Sequence, residues 1–200
     1  MNIYRKILCL LSYRLMAKAM PDLASKDIIL TFDDGPHPIY TEKILDLLKS
    51  HDIKAVFFVV GKNAQENNAT LSRIIAEGHK VGNHTYSHIE ITSLDKASQN
   101  DQIDKCQNVI SSYVKYKIFR PPMGIVSIRS IIYLIKHHYH IILWNIDSKD
   151  YSSLSCTTIV DKLRERVKKK NIVLFHDDSA LCYDVLEQII PFWRSNGLIL

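Results

Sequence analysis

Residues Ile28-Ile29-Leu30-Thr31-Phe32-Asp33-Asp34-Gly35-Pro36 decide how the chain is read. An unbroken run of apolar and β-branched residues predicts a strand buried on both faces, and the two carboxylates at its end cannot belong to that core. The same figure recurs downstream. Ala55 to Val60 is a second run, stopped by Gly61; Lys80-Val81-Gly82 is a short third and Ile118-Phe119 a brief fourth. His140 to Ile146, Ile172 to Phe175 and Leu198-Ile199-Leu200 read as the remaining strands. Between them lie helical spacings: Thr41 to Ser50, a helix closing over Leu71 to Ala76 before a left-handed cap at Gly78, then Asp95 to Val114, Ser127 to His137, Thr157 to Lys170 and Tyr183 to Ser195. Lys168-Lys169-Lys170 reads as a charged last turn facing the negative end of its helix, not as a binding patch. Such alternation predicts an α/β fold with a parallel sheet of about seven βα units, closing into an incomplete barrel or staying open as a doubly wound sheet.

Composition supports one domain. The chain has 200 residues, 46% hydrophobic and 24% charged, enough for a sizeable core, and six Gly with six Pro exclude a linker-dominated architecture. A net charge of +5 suits an anionic polymer or a membrane surface. No basic stripe is interleaved with stacking aromatics, so nucleic acid is not an expected partner. Cys9, Cys106, Cys156 and Cys182 lie far apart with no CxxC pair, which argues against a cysteine metal site or redox motif and for buried thiols. Residues 1–24 read as a separate helical segment before a domain spanning 25–200. There Arg5 and Lys6 precede the apolar run Ile7 to Leu11, and Ala17-Lys18-Ala19 has the small-x-small form of a cleavage site, but Arg14 interrupts the stretch. A spanning helix needs roughly 20 apolar residues. The segment is therefore a packing, interfacial or targeting helix, and membrane contact through it is one of those readings.

Position is the informative feature of the polar residues. Phe32 is followed by Asp33 and Asp34, Gly82-Asn83 by His84 and His88, Phe119 by Arg120, Ile146 by Asp147 and Asp150, and Phe175 by His176. Strand ends of parallel α/β folds converge on one face, where active sites lie. Singly, each residue has an ordinary explanation: a hydrogen-bonded histidine, an arginine anchoring a proline loop, a turn at Asp177-Asp178. Together they supply a working set. Asp34, His84 and His88 offer two imidazoles and a carboxylate to a divalent metal, zinc foremost with cobalt, nickel or iron as alternatives, and leave positions open. Asp33 can then act as general base toward an activated water, with Arg120 fixing its direction. His176 can protonate a leaving group while Asp150 holds its ring. The layout is that of metal-assisted hydrolysis of an amide or ester.

Thr31-Phe32-Asp33-Asp34-Gly35-Pro36 and His84-Thr85-Tyr86-Ser87-His88 resemble the first two motifs of the polysaccharide deacetylase family (NodB-homology domain, carbohydrate esterase family 4). Arg120-Pro121-Pro122-Met123-Gly124, Asp147-Ser148-Lys149-Asp150-Tyr151 and Leu174-Phe175-His176 resemble its third, fourth and fifth, in order, from about Asp27 to the C-terminus. The resemblance implies a distorted, incomplete (β/α) barrel and metal-dependent removal of acetyl groups from an N-acetylated sugar. It implies Asp33 as base, Asp34, His84 and His88 as metal ligands, His176 as acid, and Arg120 and Asp150 as their orienting partners. It further implies an oxyanion donor in the Met123 backbone N–H beside Pro122, and an acetyl pocket walled by Leu174. Two positions depart from the family: Met123 stands where an aromatic residue is usual, and Tyr151 where Trp is usual, which alters the walls for the sugar and leaves the chemistry.

The leading expectation is a hydrolase acting on an N-acetylglucosamine-containing glycan, peptidoglycan or chitin-like, at the cell envelope or a membrane rather than in the cytoplasm. A second reading keeps the scaffold and changes the substrate to an O-acetyl ester or a lipid-linked acylated sugar. A third, a metal-holding carbohydrate-binding protein without turnover, is disfavoured because base, ligands and acid are all present.

Overall fold

The computed structural model describes residues 3–23 and 25–200, without the side chains of 3–6, 8–10 and 17. In chain order the elements are α1 (Ile3–Ala19), β1 (Ile28–Asp33), α2 (Tyr40–Ser50), β2 (Val56–Val59), α3 (Gly61–Glu66), α4 (Asn68–Ala76), β3 (Lys80–Asn83), α5 (Lys96–Ile110), β4 (Ile118–Phe119), α6 (Ile128–Lys136), β5 (His140–Ile141), β6 (Ile146–Asp147), α7 (Cys156–Arg166), β7 (Asn171–His176) and α8 (Ala180–Ser195). Asp95, Ser127 and Ser155 cap α5, α6 and α7 by accepting from the backbone three residues on. The seven strands form one sheet in the order β5-β4-β3-β2-β1-β7-β6, every pair parallel. The sheet curls into a distorted, incomplete barrel wrapped by helices.

Strand alternation divides the core in two. Ile28, Leu30 and Phe32 of β1 face outward, with Phe57, Val59, Val81, Val173 and Phe175, into the layer covered by α2, α4, α7 and α8. Ile29, Val56, Phe58, Ile118, Ile142 and Ile172 fill the barrel interior, which Met16, Met20 and Leu23 plug from below. The C-terminal part of α1 thus packs on the barrel floor. The expectations placed on Cys9, on the Arg5 and Lys6 charges and on the Ala17 side chain lie outside the described residues. Cys106 and Cys182 are buried, whereas Cys156 is only half-buried, against expectation, since its helix faces solvent at that turn.

Three expectations about elements need correction. The run from His140 to Ile146 is two strands at opposite edges of the sheet: His140–Ile141 pairs with β4, Ile146–Asp147 with β7. The chain crosses the open side of the barrel between them, Leu143 N–H donating to Ser12 Oγ at 2.8 Å. Ile141, Ile142 and Leu143 are all buried, so hydrophobicity does not mark where the first strand ends. Leu198 to Leu200 is not a strand. Ile199 O accepts from Asp27 and Ile28 N–H beside the start of β1, with no ladder beyond. Finally, α7 stops at Arg166, where Val167 turns extended, so Lys168-Lys169-Lys170 lies in the turn before β7 and the last-turn cations are Arg164 and Arg166.

Candidate active site and metal centre

The alternation that places Ile29 inside the barrel also places Thr31 and Asp33 inside, one column rising to the C-terminal rim. On β4 the same rule turns Ile118 and the following Arg120 inward, and on β7 it turns Ile172, Leu174 and His176 inward. Gly82 leaves room on β3: a Cβ there would fall 2.6 Å from the Phe58 ring and 2.8 Å from Ile118.

Arg120 is fully buried, its guanidinium stacked 4.0 Å from the centre of the Phe58 ring. Its Nη1 donates to Asp33 Oδ1 at 2.7 Å and to Thr31 Oγ1 at 2.8 Å, and its Nε to Ile142 O at 3.2 Å. Thr31 Oγ1 in turn donates to Val173 O. One Asp33 oxygen is therefore committed to Arg120, and the other lies 3.7 Å from His84 Nε2.

Asp34 leaves the strand with φ +78°, and Thr85 and His88 also stand in the left-handed region, at +67° and +56°. Such backbone persists only where surrounding contacts enforce it, and it turns these residues toward one point. Asp34 Oδ1 lies 3.4 Å from His84 Nε2 and 3.1 Å from His88 Nε2, and the three ligand atoms fall within 4.8 Å of one another. Ligands at about 2.1 Å from a tetrahedral cation are about 3.4 Å apart, so the spacing suits a metal. The protonation pattern suits it too. Arg120 O can only accept, so His84 Nδ1, 2.7 Å away, carries the proton and Nε2 offers its lone pair. Asp34 Oδ1 is buried without a hydrogen-bond partner. Burial lowers the His88 pKa and favours its neutral, ligating form. Burial opposes charge on His84, yet Asp33 and Asp34 override it and raise its pKa; a pocket that draws a proton there draws a cation. Burial likewise opposes ionisation of Asp34, but the imidazoles of His84, His88 and His176 win and lower its pKa to about 2.

His176 stands across the cleft. Its Nδ1 and Asp150 Oδ1 are 2.8 Å apart, its backbone N–H donates to Asp150 Oδ2 at 2.8 Å, and Ser148 Oγ also donates to Asp150 Oδ1. A carboxylate fixes Nδ1 as donor and leaves Nε2 for the cleft. Burial works against the imidazolium, but the Asp150 hydrogen bond and charge, then Asp33 and Asp34, raise the His176 pKa to about 9.

The cleft between these groups measures about 640 Å³ and is lined by Asp33, Asp34, His84, His88 and His176 with Met123, Leu174 and Tyr151. Pro122 is buried beneath Met123, which holds φ +54°. Tyr151 meets the His176 ring edge-on at 5.0 Å, and its hydroxyl receives Lys149 Nζ and reaches Asp147 Oδ2. Asp33, Asp34, His84, His88, Met123, Tyr151, Leu174 and His176 thus line one cleft, with Arg120, Pro122 and Asp150 buried behind them. Sequence reasoning missed Trp144, Ile125 and Lys149 on the cleft wall, and Thr31 beneath Asp33. Thr31 was findable, two residues before Asp33 on the same face. Asp177 was read as a plain turn, yet it is buried, accepting from Gly35 N–H at 3.0 Å and Thr41 Oγ1 at 2.5 Å, and so holds the loop that carries Asp34.

Comparison with known proteins gives the chain's family and finds solved structures of the same fold. The polysaccharide deacetylase family model matches residues 21–142. A peptidoglycan-N-acetylglucosamine deacetylase of Bacillus cereus is 33% identical over 177 residues, covering 86% of this chain, which spans 64% of that protein's length. The structure of peptidoglycan deacetylase PdaC from Bacillus subtilis superposes with a TM-score of 0.81 at 34% identity, covering 88% of this chain and 86% of that one. A family 4 carbohydrate esterase from Streptomyces lividans, in complex with acetate, gives 0.81 at 28% identity over 88% of this chain and 91% of its own.

Proposed function

Because the chain belongs to the polysaccharide deacetylase family, we propose that it hydrolyses the acetamide of an N-acetylglucosamine-containing glycan, peptidoglycan or a chitin-like oligomer, at the cell envelope. In this reading residues 25–200 are the catalytic unit, and α1 (Ile3–Ala19) precedes it at its base. The observation that carries the reading is the division of labour around one cleft: a cation-binding trio, a carboxylate outside that trio and an imidazole opposite.

Asp34, His84 and His88 would hold a divalent cation, with zinc first among the candidates. Bound there, the cation supplies Lewis acidity toward the amide carbonyl and toward water. Asp33 serves as the base: Arg120 ties down Oδ1, so Oδ2 is the atom that takes a proton from the attacking water. His176, protonated at neutral pH, delivers a proton from Nε2 to the departing nitrogen, and Asp150 holds its ring in that orientation. The Met123 backbone N–H, beside Pro122, is the oxyanion donor, and Leu174 walls the acetyl group. Tyr151 and Trp144 offer aromatic faces to the sugar.

The test measures acetate released from N-acetylated glycan oligomers by cation-loaded protein, with acetyl ester and formamide analogues in parallel. Asp33→Asn should lower turnover about 10²–10⁴-fold while calorimetry shows the cation still bound. Unchanged turnover in that variant overturns the assignment, and turnover confined to the ester transfers the reading to an esterase.

A further inference from the structure

The carboxylates of this chain are unevenly placed. None occurs in residues 1–21, which carry Arg5, Lys6, Arg14 and Lys18, and none between Lys105 and Ile146, which carry Lys115, Lys117, Arg129 and Lys136. These segments meet in space, because α1 lies against β5, the edge strand that α6 also covers. Two acids of neighbouring α5 reach its margin: Asp104 accepts from Tyr133 Oη at 2.7 Å, and Asp95, which caps α5, lies near Arg129.

On this basic side α6 presents an apolar face to solvent. Its inward face is Ser130 and Leu134, but Ile128, Ile132 and Ile135, spaced at i, i+4 and i+7, are 57%, 61% and 64% exposed. Below them Ile135 shares a groove of about 460 Å³ with Leu11 and Leu15 of α1. Above them the exposed Ile125 leads to the cleft wall. An apolar stripe therefore runs from the floor of the molecule along α6 to the mouth of the candidate active site, bordered by exposed Arg14, Lys18, Arg129 and Lys136. Contiguous exposed apolar surface with a polar border marks an interaction site.

We propose that this face seats the protein on an anionic lipid bilayer, the α6 isoleucines entering the headgroup–acyl boundary while the surrounding Arg and Lys meet lipid phosphates. Charge selects this occupant. A twofold pairing with a second copy would bring the same basic patch against itself, with no carboxylate from residues 1–21 or 105–146 to relieve it. A phosphate-bearing surface complements the whole face. Among the described residues no helix is long and apolar enough to cross a membrane, so the contact is one of surface docking. It opens the cleft beside the bilayer, toward glycan held close to it. The docking is independent of the chemistry proposed above.

Vesicle flotation decides it, using phosphatidylcholine alone and phosphatidylcholine doped with phosphatidylglycerol. The whole chain should bind the doped vesicles, release them as salt rises and ignore the neutral ones. Ile128→Ser, Ile132→Ser and Ile135→Ser together should lower the partition coefficient at least about tenfold, with the melting temperature and acetate release from soluble oligomers unchanged. Arg14→Gln and Lys136→Gln should each lower it about fivefold. Failure of the native protein to bind doped vesicles, equal binding by the triple variant, or a dimer in light scattering that the triple variant dissolves would overturn the proposal. Acetate release, read in the same preparations, reports on the chemistry separately.

Discussion

Replacing Asp150 by Asn removes the charge set against His176 and leaves an oxygen that can still accept from the His176 backbone N–H. In the native protein burial depresses the His176 pKa, but the Asp150 hydrogen bond and charge, joined by Asp33 and Asp34, lift it from 6.5 to about 9. A group whose pKa is higher folded than unfolded contributes its full stabilisation below the unfolded value and loses it as pH rises through the folded one. The window therefore runs from about 6.5 to about 9. At about 1.4 kcal/mol per pH unit it is worth about 3 kcal/mol, with Asp150 the leading favourable cause. Urea unfolding of chelator-treated native protein and Asp150→Asn across this range measures it. The stability gap should be widest below pH of about 6.5 and shrink steadily toward about 9. Asp177, whose burial raises its pKa to about 7, titrates in both proteins and cancels in the difference. A gap that stays level, or widens with pH, refutes the assignment of the His176 proton to this pair.

Gly35→Ala should destabilise by about 2–4 kcal/mol and weaken cation binding in calorimetry, because the new Cβ would fall 2.1 Å from Asp177 Oδ2, which Thr41 holds in place. Arg120→Met leaves the buried Asp33 carboxylate without its partner and should cost about 3–5 kcal/mol in denaturant titration; adding Asp33→Asn should recover part of that loss, and strictly additive losses would show that the pair is not coupled. Removing the cation with a chelator should abolish acetate release, and re-adding zinc should restore it; His84→Ala should resist restoration at zinc levels that suffice for the native chain.

The parallel sense of the sheet and the succession of strands and helices along the chain were legible because most βα units carry their own punctuation: a continuous apolar run, a polar end and a helical spacing. Where punctuation fails, so does the reading. Ile141, Ile142 and Leu143 are all buried, so nothing in their hydrophobicity marks the point at which one edge strand ends and the chain crosses to the other. The Lys168–Lys170 run misleads in the opposite way. Lysine is a good helix former, and the extended Val167 that ends α7 is set by the approach to β7, not by local preference.

The candidate site was more legible than the sheet that builds it, for a physical reason. Carboxylates and imidazoles are costly in a core, so their appearance at the ends of buried runs marks the one rim where cation, water or substrate can satisfy them. That logic finds Asp33, Asp34, His84, His88 and His176 without knowing which strand lies beside which. It cannot find the parts satisfied within the protein. Thr41 and Asp177 are 136 residues apart and buried, and their mutual hydrogen bond removes the cost that would have betrayed either one. The Gly35 backbone N–H completes their arrangement, so the loop that aims Asp34 depends on a contact with no local signature in the sequence. Chemistry that faces the cleft is thus readable residue by residue, while the side chains that hold its geometry emerge only once the barrel closes around them.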